Sequence, residues 1–138
     1  MARIGEQQMS ADGTSVAFTV DTVDLHKSDK PKQIDVVPVA GGPRVQLTRD
    51  GINSRPRWMP DSKSIAFLSS RGGSTQIWTM TADGGDPKQI SSLSTEAADV
   101  TVSADGKWFV FTSEVYPDCP DDACNKSKIE ADAENPVK

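Results

Sequence analysis

The chain of 138 residues has one histidine, one tyrosine and two cysteines, and no run in it approaches the roughly 18 apolar residues of a membrane span. Gly-x-Ser-x-Gly occurs nowhere. The sharp strand-to-helix turn that exposes a serine nucleophile is therefore missing, and the single His26 has no such serine to serve. Positive charge is not in excess either: 15 Lys and Arg stand against 20 Asp and Glu, a formal charge of −5. Residues 114–138 alone hold seven acids against three lysines, which leaves the rest nearly neutral. That balance points to neither a nucleic-acid surface nor a polybasic membrane patch. The opening residues, MARIGE, lack the apolar core of a secretory leader. The expectation is that a natural leader or an earlier repeat lies upstream, so the compartment is not read from this end.

What the chain does have is repetition. The turn Met59-Pro60-Asp61-Ser62 recurs as Ser10-Ala11-Asp12-Gly13 and as Ser103-Ala104-Asp105-Gly106, with spacings of 49 and 44 residues between the aspartates. Periods of that length mark propellers or solenoids. The register holds beyond the turn: Val16, Ile65 and Phe109 follow their Asp by four residues, Ala17, Ala66 and Val110 by five, and Phe18, Phe67 and Phe111 by six. Gly41-Gly42 and Gly84-Gly85 then precede the similar runs Gln46-Leu47-Thr48 and Gln89-Ile90-Ser91. Each full unit reads as four short strands, which in the second unit are placed at 57–59, 64–69, 75–81 and 88–91. Asp and Gly occupy the turns because tight hairpins need a positive φ, and because an Asp side chain bonds the backbone two residues on. Val, Ile, Phe, Trp and Thr fill the strands because they suit a pleated, half-buried surface.

The reading is all-β: propeller blades of four antiparallel strands, about two and a half of them, a fragment of a larger propeller. Residues 1–51 form the first blade, 52–95 the second and 96–113 half of a third. After Trp108-Phe109-Val110-Phe111-Thr112 the next strand and its Gly-Gly turn never arrive. Residues 114–138 read instead as a Cys-containing acidic insertion, partly disordered, with room for a short exposed helix but too little apolar surface to fold alone. Cys119 and Cys124 enclose four residues of a polar loop. A small disulfide is the favoured reading for an exported protein, and two free thiols for a cytosolic one. Asp118, Asp121 and Asp122 lie beside them, but three clustered acids do not make a metal site, and no metal or cofactor is expected. His26 lies in a polar connection, where a bland role outweighs a functional one. Trp58, Trp78 and Trp108 are assigned to packing between blades before peptide contact.

The pattern Ser/Pro-Asp-Gly-Lys, a strand of type Ile-Ala-Phe, then Ile-Trp-x-Met-x-x-Asp-Gly-Gly and Gln-Leu-Thr resembles the propeller repeat shared by TolB proteins and the N-terminal domains of the prolyl oligopeptidase family of serine peptidases. It covers residues 7–113. The segment from Ser113 through Cys119 to Cys124 and Lys126 is similar to the dipeptidyl-peptidase and acylaminoacyl-peptidase branch, where a comparable insertion occupies one blade. The resemblance implies a non-catalytic propeller that gates and orients peptide substrates for a C-terminal α/β-hydrolase domain in cis. The catalytic residues belong to that domain, so none is assigned here. It also implies a periplasmic or secreted home, with the cytoplasm still open. A TolB-like protein-binding scaffold of the bacterial envelope is the alternative. Because half a blade leaves an open sheet edge, the chain is expected to associate with itself.

Overall fold

A computed structural model describes residues 1–23 and 31–134. Its strands run β1 (Ala2–Met9), β2 (Ser15–Thr22), β3 (Lys32–Pro38), β4 (Val45–Gln46), β5 (Asn53–Trp58), β6 (Ser64–Ser69), β7 (Gln76–Thr81), β8 (Lys88–Gln89), β9 (Ala97–Val102) and β10 (Phe109–Ser113), followed by the helix α1 (Asp122–Glu134). Strands β1-β2-β3-β4 form one antiparallel sheet, β5-β6-β7-β8 a second, and β9-β10 a two-stranded third. Order in space follows order in the chain, so each sheet is an up-and-down meander, here called units 1, 2 and 3.

The turn chemistry is the same three times. Asp12, Asp61 and Asp105 each accept, through Oδ1, a backbone N–H two residues on, from Thr14, Lys63 and Lys107 at 3.0, 2.9 and 3.0 Å. The residue between has positive φ: 71° at Gly13, 58° at Ser62 and 73° at Gly106. Ser62 holds a conformation that suits glycine. Its Oγ also accepts the N–H of Asp12 at 3.0 Å, so the side chain links units 1 and 2.

Packing runs face to face between units. Ala17, Ile34, Val36 and Leu47 of unit 1 meet Ile65, Phe67 and Met80 of unit 2, with Trp58 and Trp78 against them. Leu68 and Ile77 on the other face of unit 2 meet Ala97, Val100 and Phe109 of unit 3. The alternation is the ordinary two-residue period of a strand, with Ala66 and Leu68 facing away from Ile65 and Phe67. Trp58 also donates its Nε1–H to the Gln8 carbonyl at 2.9 Å, a polar contact across the same seam.

Two strand boundaries depart from the sequence reading. β5 begins at Asn53 rather than 57, because its first half, Asn-Ser-Arg-Pro, is polar and carries a bulge between Ser54 and Arg57. The fourth strands are only two residues long because, at the next pair, one backbone bond persists (Leu47 N to Ile34 O and Ile90 N to Ile77 O, both 2.8 Å) while a hydroxyl takes the place of the other. Ile34 N donates to Thr48 Oγ1 at 2.9 Å and Ile77 N to Ser91 Oγ at 2.8 Å. Gln33 and Gln76 accept from those same hydroxyls.

Candidate functional site at the convergent inner strands

The first strands of the three units lie against one another, β1 on β5 and β5 on β9, whereas β4 and β8 make no contact with each other among the described residues. The first strands are therefore the inner ones. Each carries one extra residue in its register against the second strand. At each bulge one non-glycine residue sits in the left-handed region: Glu6 at φ 52°, Arg55 at 54° and Asp99 at 49°. All three stand six residues before their unit's turn aspartate. A bulge turns a side chain out of the sheet's alternation, and here the three side chains turn toward one another.

Arg55 is the link. Its Nε lies 3.0 Å from Asp99 Oδ1 and 3.6 Å from Glu6 Oε1, and its backbone N–H donates to Glu6 Oε2 at 3.0 Å. Lys32 approaches Glu6 at 4.0 Å and Asp21 at 3.8 Å. Beside this chain of charges lies a cavity of about 800 Å³ whose walls include Arg55, Leu68, Thr75, Glu96, Asp99 and Glu114. Glu96 also holds the Thr75 N–H at 3.2 Å. The inner wall is thus acidic and crossed by one arginine. Its groups can hold and orient a polar chain, but no nucleophile with an adjacent base stands among them.

Cys119 and Cys124 are joined, with Cα atoms 5.4 Å apart. The acids nearby bond within the protein. Both Asp122 carboxylate oxygens accept the Ser94 N–H at 3.1 Å, and Oδ1 also accepts the Ser94 hydroxyl at 2.6 Å. Asp121 accepts the Cys124 N–H at 2.9 Å, and Asp118 pairs with Lys128. The buried Asn125 takes the Tyr116 N–H at 2.9 Å. Helix α1 is therefore hooked to the connection between units 2 and 3 at its first turn.

Trp58 and Trp78 pack between units 1 and 2, and the Arg71 guanidinium lies 5.0 Å from the Trp78 ring. Trp108 departs from the packing expected of it and is 70% exposed, because nothing among the described residues covers that face of unit 3. His26 lies outside the described residues. The bulge residues were missed in the sequence. The signal that could have found them is a charged side chain at one fixed offset before every turn.

The TolB beta propeller domain family matches residues 5–119. Dipeptidyl-peptidase 5 of Porphyromonas endodontalis is 32% identical over 117 residues, which is 83% of this chain and 17% of that protein's length. The crystal structure of TolB from Acinetobacter baumannii superposes with a TM-score of 0.67 at 30% identity, covering 78% of this chain and 26% of that one. The acylaminoacyl peptidase of Pyrococcus horikoshii shares the fold, with a TM-score of 0.68 at 19% identity over 88% of this chain and 19% of its own. With a family match that spans most of its length, this chain belongs to the TolB beta propeller domain family.

Proposed function

We propose that this chain is the propeller portion of an exported serine exopeptidase of the prolyl oligopeptidase type. In this reading it gates and orients peptides for an α/β-hydrolase domain carried elsewhere in the same protein. The observation that carries the reading is the 32% identity to dipeptidyl-peptidase 5 over 83% of the chain. The acidic inner wall crossed by Arg55 supports it, because an extended peptide offers amide groups and an ammonium end to such a surface. The bond between Cys119 and Cys124 supports a periplasmic or secreted home, since disulfides persist in oxidising compartments.

The test is the complete gene product. It should release dipeptides from chromogenic dipeptide substrates and lose that activity on treatment with a serine-reactive fluorophosphonate. Residues 1–138 alone should release nothing. The similarity to TolB favours a second reading, an envelope scaffold that binds other proteins. A complete product made of further propeller units with no hydrolase domain would refute the peptidase and leave that scaffold.

A further inference from the structure

Helix α1 is 13 residues long, a length at which an isolated helix is marginal in water. Asn125 is its one buried residue and Ile129 its only large aliphatic one, so no apolar stripe docks it. What holds it are contacts with the segment that leads into it. Asn125 accepts the Tyr116 N–H, Asp132 accepts the Tyr116 hydroxyl, and Lys128 pairs with Asp118 while lying 5.2 Å from the Tyr116 ring. Asp122 adds the hook on Ser94. Exposed polar pairs of this kind contribute little one by one. The covalent tie is the bond between Cys119, in the lead-in, and Cys124, the third residue of α1, both of them half-buried.

Ser94 belongs to the connection 91–96, which unit 2 grips from its other side. Gln76, 2% exposed, donates its amide to the carbonyls of Leu93 and Thr95 at 3.1 and 3.0 Å and accepts the Leu93 N–H at 3.2 Å. The connection therefore has a hold that does not involve α1. Thr95 and Glu114 line both the cavity of the inner wall and a smaller cleft formed with Val115, Tyr116 and Ile129. The folded-back segment 114–134 thus backs one side of that cavity.

We propose that the Cys119–Cys124 pair is a redox latch on this segment. With the disulfide closed, α1 lies against the connection between units 2 and 3; with two thiols it frays, and Glu114 loses its backing. Opening is exchange with a dithiol, in which each cysteine sulfur takes up one electron and one proton while the dithiol closes to its own disulfide. Closing is the reverse, with a disulfide-bearing oxidant accepting the electrons. The state of the latch follows the redox poise of the compartment, whichever activity the whole protein has.

The test is hydrogen exchange of the complete gene product, read by mass spectrometry before and after dithiothreitol, beside the Cys119→Ser/Cys124→Ser variant. Closing even a short loop lowers the open population by about tenfold or more, so reduction should speed exchange across α1 and at the Ser94 amide by about that factor. β6, β7 and the Leu93 amide held by Gln76 should not change. Oxidised glutathione should restore the slow exchange, and trypsin should cut after Lys126 and Lys128 faster in the reduced protein. The double variant should behave as the reduced protein does and ignore dithiothreitol, which assigns the effect to this bond. Equal exchange of α1 in the two states overturns the proposal and makes the bond a passive staple, as does a bond that the native protein keeps intact in excess dithiothreitol. Loss of protection in β6 and β7 on reduction overturns it too, because the bond would then hold the units rather than the segment.

Discussion

Three phenylalanines at one repeat position give a measurement of how the units depend on each other. Phe18, Phe67 and Phe111 each follow their turn aspartate by six residues, yet Phe67 is 1% exposed and Phe111 is 38% exposed. Phe67 is held between units 1 and 2 with the Arg71 guanidinium 5.3 Å from its ring. Replacing it with alanine removes a fully buried ring and leaves a cavity, a loss of about 3–5 kcal/mol. Phe111→Ala removes a ring that is already part-hydrated and should cost about 1–2 kcal/mol. The difference, about 2 kcal/mol, is about 1 M in the urea midpoint at the slope of a small domain. Urea titrations followed by tryptophan fluorescence, run at protein concentrations a hundredfold apart, separate folding from association. If Phe67→Ala leaves too little folded protein, Phe67→Leu, which leaves a smaller cavity, should cost less than Phe67→Ala and still fold. Equal costs at positions 67 and 111 would mean that the second unit does not hold the core, and the argument from stacked faces would fail.

Ser62→Gly should leave stability within about 0.5 kcal/mol of the original, since relief of the positive φ offsets the lost bond from Asp12. Ser62→Ala keeps the strain and loses the bond, so it should cost about 1 kcal/mol more by the same denaturation assay. Asp122→Ala should raise hydrogen exchange in α1 and at the Ser94 amide while β6 stays protected. α1 should exchange fastest of the regular elements even before the change, and unchanged protection would show that other contacts hold the helix. Hydroxyls of Ser10, Thr81 and Ser103 hold the carboxyls of Asp12, Asp83 and Asp105 below their ordinary value. Their contribution is complete above the unfolded value near 3.9 and is lost as pH falls through the lower folded values. The acid limb of a stability–pH curve should therefore flatten in the Asp→Asn triple variant. Burial raises Asp35 instead, so its contribution has the opposite sign and fades as pH rises through its raised folded value.

The repeat was legible because its marks are local. An aspartate bonded two residues ahead, and a positive φ next to it, need no partner from elsewhere, and they recur at Asp12, Asp61 and Asp105. The Val/Ile/Phe positions were legible by their period of two. The first half of β5 was not, since Asn53 and Pro56 are buried by contacts with neighbouring segments rather than by apolar alternation. Helix α1 was hardly visible for a related reason. Ile129 is its only large aliphatic residue, and what fastens it is Asp122 on Ser94 and Asn125 on Tyr116, polar contacts between residues 28 and 9 apart in the chain.

The inner bulges were hidden by the regularity that revealed the rest. Ile65, Phe67 and Phe109, four or six residues after their aspartates, fill the seams between sheets, so the chemistry there is confined to apolar side chains. The residue six before the aspartate is released from that demand, because a bulge in the left-handed region takes it out of the ladder and out of the seam. Packing sets nothing there except room. Glutamate, arginine and aspartate can follow one another in successive units, and each substitution alters the charge of the inner wall without disturbing a sheet face. Arg55→Met would leave Glu6 and Asp99 without their bridge while Phe67 and Ile65 kept their neighbours. In a fold built from equivalent units, the sites able to differ in chemistry are those where the repeat exempts a residue from packing. In this chain those sites lie on the first strands, where neighbouring units meet.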